Sequence, residues 1–280
     1  MLDDNEKSTE KSAQNSANGT ASEAANGGAE TLTFAEEAAD LAKTVVWAVA
    51  IALVLRILIF QPFNIPSGSM KPNLLIGDFL FVSKPSYGYS RASLIWPLTR
   101  INGLEGRFLG SEPERGDILV FKNRKDGNKD YIKRLVGMPG DEIQMRRGVL
   151  HINGAPVRKE FVRYATASCD GMPSKQVPMF RETLPNGVEY VVQECFGDRG
   201  HLDNTGVYKV PAGRYFMMGD NRDQSQDSRV TSQVGYVPYD DIVGRAERLF
   251  FSFDVENTAF WQIWKWPTSV RYGRLLDPIE

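Results

Sequence analysis

Ile65-Pro-Ser-Gly-Ser-Met-Lys-Pro72 stands just past the one strongly apolar run of the chain. Pro66 and Pro72 fix φ, remove two backbone donors and push the residues before them out of helical geometry. Gly68 permits close backbone approach. The stretch therefore reads as a rigid elbow presenting Ser67 and Ser69 at set angles. A Ser/Gly/Pro linker behind a membrane anchor has the same composition. The choice between these readings depends on segments about 60 and 150 residues further on.

On the N-terminal side lies Thr44-Val-Val-Trp-Ala-Val-Ala-Ile-Ala-Leu-Val-Leu-Arg-Ile-Leu-Ile-Phe60, with the single charge Arg56. Its length is at the short end for a bilayer span, and Leu41 and Ala42 extend it. Arg56 sits near the end, where a guanidinium reaches headgroups, and Trp47 and Phe60 suit the two interfaces. A cleaved signal peptide starts with a short basic region and ends at small residues. Here an acidic tail precedes the run and Phe60-Gln-Pro-Phe63 follows it, so a retained anchor over 34–61 is expected. Lys43 and Arg56 flank the run about equally and leave its orientation open. A helix begins at Phe34, with Thr33 as N-cap and Glu36 and Glu37 in its first turn. Residues 1–33 have almost no large apolar side chain and are expected to be disordered.

Beyond Phe63 the pattern is β. Phe79–Val82, Asp117–Phe121, Tyr131–Val136, Glu142–Met145, Val149–Ile152, Glu189–Val192 and Tyr215–Met218 are short and rich in β-branched or aromatic residues. Turn signals such as Asp126-Gly-Asn128, Pro139-Gly-Asp141 and Asn153-Gly154 bound them. The expected fold is mostly β: a β-sheet core in two parts, 62–154 and 211–280, with an inserted β-rich subdomain at 155–210, behind one transmembrane helix. Residues 86–112, with Trp96, read as a second excursion. The segment Phe250–Trp266 holds three of the five tryptophans beside Lys265. It suits either a packed core or a membrane interface.

Charge excludes little by its total of −2, but its distribution is uneven. Residues 1–40 carry nine acidic and two basic side chains, leaving the remainder mildly basic. That balance gives no sign of nucleic-acid binding and suits a domain beside anionic lipid. His151 and His201 read as structural, and Cys169 and Cys195 have no partners at metal-ligand spacing. A hydrolase built on this chain would need a base other than histidine, and neither metal nor cofactor is expected.

A serine hydroxyl becomes a competent nucleophile when a neighbour takes its proton. Lys133 is the candidate base. Period-two alternation places it on one strand face with Tyr131 and Leu135, opposite Asp130, Ile132 and Arg134. Among such neighbours an ammonium is desolvated and its pKa falls towards neutrality. An exposed strand lysine is the plain alternative. The third segment is Met218-Gly-Asp-Asn-Arg-Asp-Gln-Ser-Gln-Asp-Ser-Arg229. Ser225 is placed to hold the lysine amine, with Asp227 and Arg229 bracing the loop as an ion pair; a solvated polar turn is the alternative.

Taken together, these segments resemble bacterial type I signal peptidase, also called leader peptidase. The blocks are Pro66–Met70 with Leu75-Ile-Gly-Asp78; Arg115-Gly-Asp117, Asp130-Tyr-Ile-Lys-Arg134 and Gly137–Asp141; Gly219–Arg229; and, more weakly, Val237–Arg245. The resemblance covers roughly 45–253. It implies Ser69 as nucleophile and Lys133 as general base of a Ser-Lys dyad. It implies an oxyanion hole from the Ser67 hydroxyl and the Ser69 N–H, with Ser225, Asp227 and Arg229 in support. It also implies shallow pockets lined or bordered by Phe63, Ile65, Met70, Leu74, Val120, Tyr131 and Ile132, which take the small residues of an Ala-x-Ala signal bound as an added strand. The expected partners are signal peptides of exported preproteins and the lipid bilayer, for a monomer in the bacterial inner membrane with its catalytic domain outside and N-terminus in the cytoplasm. Members often have two anchors; here an acidic tail stands in place of the first. The two cysteines fall in the variable insertion, where a disulfide is permitted by an oxidising compartment. A self-cleaving repressor-type protease shares such a dyad but needs a DNA-binding domain and a soluble chain. A tethered β-rich binding module is the non-enzyme alternative.

Overall fold

The computed structural model describes residues 34–94, 106–167, 169, 174–256, 258–259 and 261–279. The acidic tail, the Thr33 cap and Trp96 lie outside them. Contacts divide the chain into Met1–Ala50 and Ile51–Glu280.

The first helix, α1 (Phe34–Leu58), opens with Glu36 and Glu37 in its first turn, favourable at the positive end of the helix dipole. Its apolar window has mean hydropathy 2.1 and none of it is buried, which distinguishes it from the core helix of a soluble protein. The helix stops short of the expected residue 61. Pro62 cannot continue it and restricts Gln61 as well, so the chain turns to extended backbone at Phe60.

The strands in chain order are β1 (Phe60–Asn64), β2 (Asp78–Ser83), β3 (Ile118–Asn123), β4 (Lys129–Gly137), β5 (Glu142–Arg146), β6 (Val149–Ile152) and β7 (Ala155–Pro156). They continue as β8 (Arg158–Ala167), β9 (Lys175–Thr183), β10 (Glu189–Gln193), β11 (Tyr208–Lys209), β12 (Arg214–Met218), β13 (Val237–Pro238) and β14 (Ile242–Ser252). Seven form one antiparallel sheet ordered β1-β2-β14-β3-β4-β12-β13. A second sheet runs β10-β9-β8 and a third β11-β5-β6-β7.

The centre of the main sheet is buried on both faces, and strand β3 shows why. Its Ile118 and Val120 enter one cluster with Ile65, Met70, Leu74 and Leu80. Its Leu119 and Phe121 enter another with Leu135, Tyr215 and Met217. A strand covered on both sides needs a continuous apolar run, as Ile-Leu-Val-Phe supplies. A further cluster joins Val136, Ile143 and Phe216 to Leu184, Tyr190 and Val192. Side chains of the 155–210 stretch thus share a core with the strands on either side of it.

All seven expected strands are present. The longest strand of all, β14, was not among them. Arg245, Glu247 and Arg248 interrupt its apolar pattern, and two register shifts against β2 break the alternation. Gly244 lies inside it because a Cβ there would sit 2.3 Å from the Ser83 carbonyl oxygen. The hairpin β8–β9 also escaped the alternation, since most of β8 is exposed on both faces.

Candidate active site

The elbow around Ser69 is a short 3-10 turn, Gly68–Met70, capped by Ser67 in extended geometry. Ser69 and Met70 are buried in it, while Ser67 is exposed. Strand β4 brings Lys133 to the same place from 64 residues away. Its Nζ donates to Ser69 Oγ at 2.7 Å and to the Ile132 carbonyl at 2.9 Å. Lys133 is 4% exposed and lies 5.5 Å from the centre of the Tyr131 ring, the face-mate that alternation assigned to it. Desolvation by burial lowers its pKa from 10.5 to about 8; Asp227 and Asp220 oppose the shift and Arg229 adds to it. The Ser67 hydroxyl lies 3.4 Å from Ser69 Oγ.

The loop from Gly219 to Arg229 closes over the turn. Asn221 donates its N–H to the Ser69 carbonyl at 3.0 Å and its side-chain amide to Gly68 at 3.1 Å. Gly219 is required here: a Cβ would lie 2.2 Å from Ser225 Oγ and 2.6 Å from the Ser69 carbonyl oxygen. Asp227 and Arg229 form the expected ion pair, bidentate at 2.9 and 2.8 Å with both side chains fully buried. Burial opposes ionisation of Asp227, but the Arg229 guanidinium and the Gly219 N–H outweigh it and keep its carboxyl below the ordinary range.

Ser225 departs from expectation. Its hydroxyl is buried beside the Asp227 carboxylate, whose ionised form it favours, and makes no hydrogen bond of good geometry among the described residues. The second oxygen on the amine belongs to Ile132, because the lysine folds back along its own strand. The expected pocket residues divide as well. Ile65, Met70, Leu74 and Val120 are buried in one cluster, with Phe63 and Ile132 half-buried against it. Tyr131 packs in the cluster of the opposite sheet face, 6.0 Å from Phe121 and with the Lys133 amine 5.5 Å from its ring centre.

Two further buried ion pairs hold the loop and went unread in the sequence. Arg134 forks onto Asp220 at 2.9 Å through both nitrogens, and Asn73 donates to the same carboxylate at 2.7 Å. Arg222 forks onto Glu182 of β9 at 2.7 and 2.5 Å, with Tyr190 donating to that carboxylate. Planar forks of this kind fix orientation as well as charge. The buried Cys169–Cys195 disulfide, whose pairing the sequence left open, lies next to the loop, with Cys195 Sγ 3.9 Å from Asn221 Oδ1.

The arrangement offers a buried hydroxyl bonded to an amine that gives up its proton near neutral pH. Such a pair works only while the amine is neutral. Activity is therefore expected to rise with pH through about 8 and level off above it. On the acid side it should fall about tenfold per unit, as seen in kcat/KM from pH 5 to 9. A flat profile would exclude the lysine as base.

Residues 38–251 match the family described as signal peptidase, peptidase S26. The signal peptidase I of Rickettsia typhi is 44% identical over 211 residues, covering 74% of this chain and 77% of that protein. The signal peptidase I of Rickettsia rickettsii is 39% identical over 248 residues, covering 82% and 88%. A solved signal peptidase I from Enterococcus faecalis aligns at 24% identity over 48% of this chain and 97% of that one, with a TM-score of 0.28, too low to bear on the fold.

Proposed function

The chain belongs to the signal peptidase family S26, as a serine protease of the type I signal peptidase kind, and on that premise we propose a membrane-anchored endopeptidase working through a Ser69–Lys133 dyad. The observation that carries the reading is the 2.7 Å contact between a buried lysine amine and a serine hydroxyl. Ser69 Oγ attacks the scissile carbonyl carbon while Lys133 Nζ takes the hydroxyl proton. The oxyanion is met by the Ser67 hydroxyl and the Ser69 N–H, donors aimed at charge that appears only in the transition state. The C–N bond then breaks, and the leaving amine takes the proton from Lys133. Lys133 Nζ then takes a proton from water as its oxygen attacks the ester carbonyl, and returns that proton to Ser69 Oγ as the acyl C–O bond breaks.

An extended substrate is supported by an edge of β4 on which no strand pairs among the described residues. Lys129–Lys133 of β4 pair with β3 on one side, whereas β12 pairs only with residues from Arg134 onward. An extended signal peptide fits that edge as an added strand. In a strand, alternate residues face one way, so P1 and P3 both meet the wall of Ile65, Met70, Leu74 and Val120, rimmed by Phe63 and Ile132. Side chains of that aliphatic character suit methyl-sized groups, in keeping with an Ala-x-Ala preference.

Membrane attachment is supported by α1 and by a C-terminal patch. Trp261, Ile263 and Trp264 are 77%, 67% and 71% exposed, while Trp266 packs on Phe253 at 5.8 Å. Exposed tryptophan beside Lys265 fits an interfacial surface. We place the catalytic domain on the outer face of the bacterial inner membrane, with the N-terminus in the cytoplasm and the enzyme a monomer. The test is cleavage of an exported precursor by the full-length protein in lipid, followed by sequencing of the new N-terminus. A single cut after Ala-x-Ala is expected, and replacing P1 Ala by a bulky residue should block it. Cutting elsewhere, or indifference to P1, would contradict the substrate reading.

A further inference from the structure

The family match ends at residue 251, yet the chain beyond it reaches back to the segment that carries Ser69. The loop Ile65–Asp78 is closed at its neck by Ile65 N–H on the Asp78 carbonyl (2.8 Å) and Gly77 N–H on the Ile65 carbonyl (3.0 Å). Asp78 is fully buried there, and its carboxylate accepts from the Leu75 N–H at 2.7 Å and the Ser252 hydroxyl at 2.6 Å. Arg274 completes its shell. One guanidinium nitrogen donates to Asp78 Oδ2 at 2.7 Å and to the Asn73 carbonyl at 2.9 Å. Arg271 adds a bond to the Ile76 carbonyl at 3.0 Å.

Asn73 is the junction. Its carbonyl is held by Arg274, and its side chain donates to Asp220, the partner of Arg134, the residue next to Lys133. Asp220 in turn precedes Asn221, which holds the Ser69 carbonyl. The four residues after the nucleophile are therefore tied at both ends to the elements that carry its base. Met70 and Leu74 are packed in the core cluster with Leu249, whereas Pro72 and Asn73 border an open cleft of about 350 Å³ that Arg274 and Asp277 also line.

From these contacts we propose that Arg274 is a positioning residue for the reaction, holding the segment Met70–Asp78 so that Ser69 stays within reach of Lys133. The proposal rests on the dyad reading above. A displacement of well under 1 Å at Ser69 would lengthen the Oγ–Nζ contact and slow acylation. The segment carries Met70 and Leu74 of the pocket wall, whereas Ile65, Val120 and the rim residues Phe63 and Ile132 lie outside it. The effect should therefore fall on kcat more than on KM.

The test is steady-state cleavage of a preprotein by the full-length enzyme in lipid, with active sites counted by a serine-directed acylating inhibitor. R274A is expected to lower kcat per counted site by about tenfold or more, with KM changed less than about threefold. R274K should lie between, since an ammonium holds Asp78 or Asn73 but not both in fork geometry. Wild-type kcat per counted site in R274A would overturn the proposal. If R274A yields no acylatable protein, R274K decides: reduced kcat supports the proposal and wild-type kcat overturns it. S69A, run alongside, separates the two ideas. Continued cleavage by S69A removes the dyad and the positioning role together. Inactive S69A beside fully active R274A removes only the latter.

Discussion

Lys133→Met is expected to give a folded enzyme that no longer processes a preprotein, with kcat/KM down on the order of 10⁴-fold or more. Ser69→Ala should match it, and the double variant should be no worse, because the two groups act as one unit. The same substitution is expected to stabilise the fold. The folded-state pKa of Lys133 is lowered to about 8 from 10.5, so between these values the unfolded chain binds more protons and stability rises with pH. Below pH 8 both states are protonated and the penalty for the buried ammonium is present in full, on the order of 3 kcal/mol. Methionine fills similar volume without that penalty. Thermal unfolding at pH 7 should move up by roughly 5–10 °C, and the rise in stability that the wild type shows between pH 8 and 10 should be absent from the variant. An inactive Lys133→Met with lower stability would mean that the amine is not held against a desolvation cost.

Glu182→Ala should destabilise the protein by about 3–5 kcal/mol, although this residue lies in the insertion, far in sequence from Ser69 and Lys133. Removing the carboxylate leaves Arg222, 1% exposed, with the Tyr190 hydroxyl at 3.1 Å in place of a bidentate charge partner. Arg222 also supplies the carbonyl that accepts from Arg229 at 2.6 Å, so the loop bearing Asp227 loosens with it. Unfolding should shift down by about 10 °C and activity should fall in parallel. Glu182→Leu combined with Arg222→Met, which removes both charges and keeps the bulk, is expected to recover most of the loss. Equal loss in single and double variants would show that the pair is incidental.

How far the sequence revealed the site depends on how local each feature is. Ser69, Lys133, Asp227 and Arg229 sit in short blocks whose residue types state their chemistry, and the β4 alternation predicted the ring beside the amine. Arg134, Asp220, Glu182 and Arg222 carry the same chemistry, but their pairing spans 86 and 40 residues. Nothing local marks an arginine as buried, because arginine is ordinarily exposed. Alternation placed Arg134 opposite Lys133 and offered no partner for it. Ser225 is buried in the loop beside Gly219, but spacing along the chain does not fix the rotation of its hydroxyl. Strand β14 was hidden by its own bulges and charges. The polar run Asp220–Arg229 did mark a loop that converges on the nucleophile, and the ion pairs explain why it needs so many polar side chains. Three forks hold a segment with little regular structure against Ser69.

The account depends most on the state of one amine. A site-selective NMR titration of Lys133 Nζ in the full-length enzyme reads that state directly. A midpoint near pH 8 is predicted, with the neutral form dominant above it. A midpoint at or above the ordinary 10.5 would leave Ser69 beside a permanent cation and contradict the mechanism.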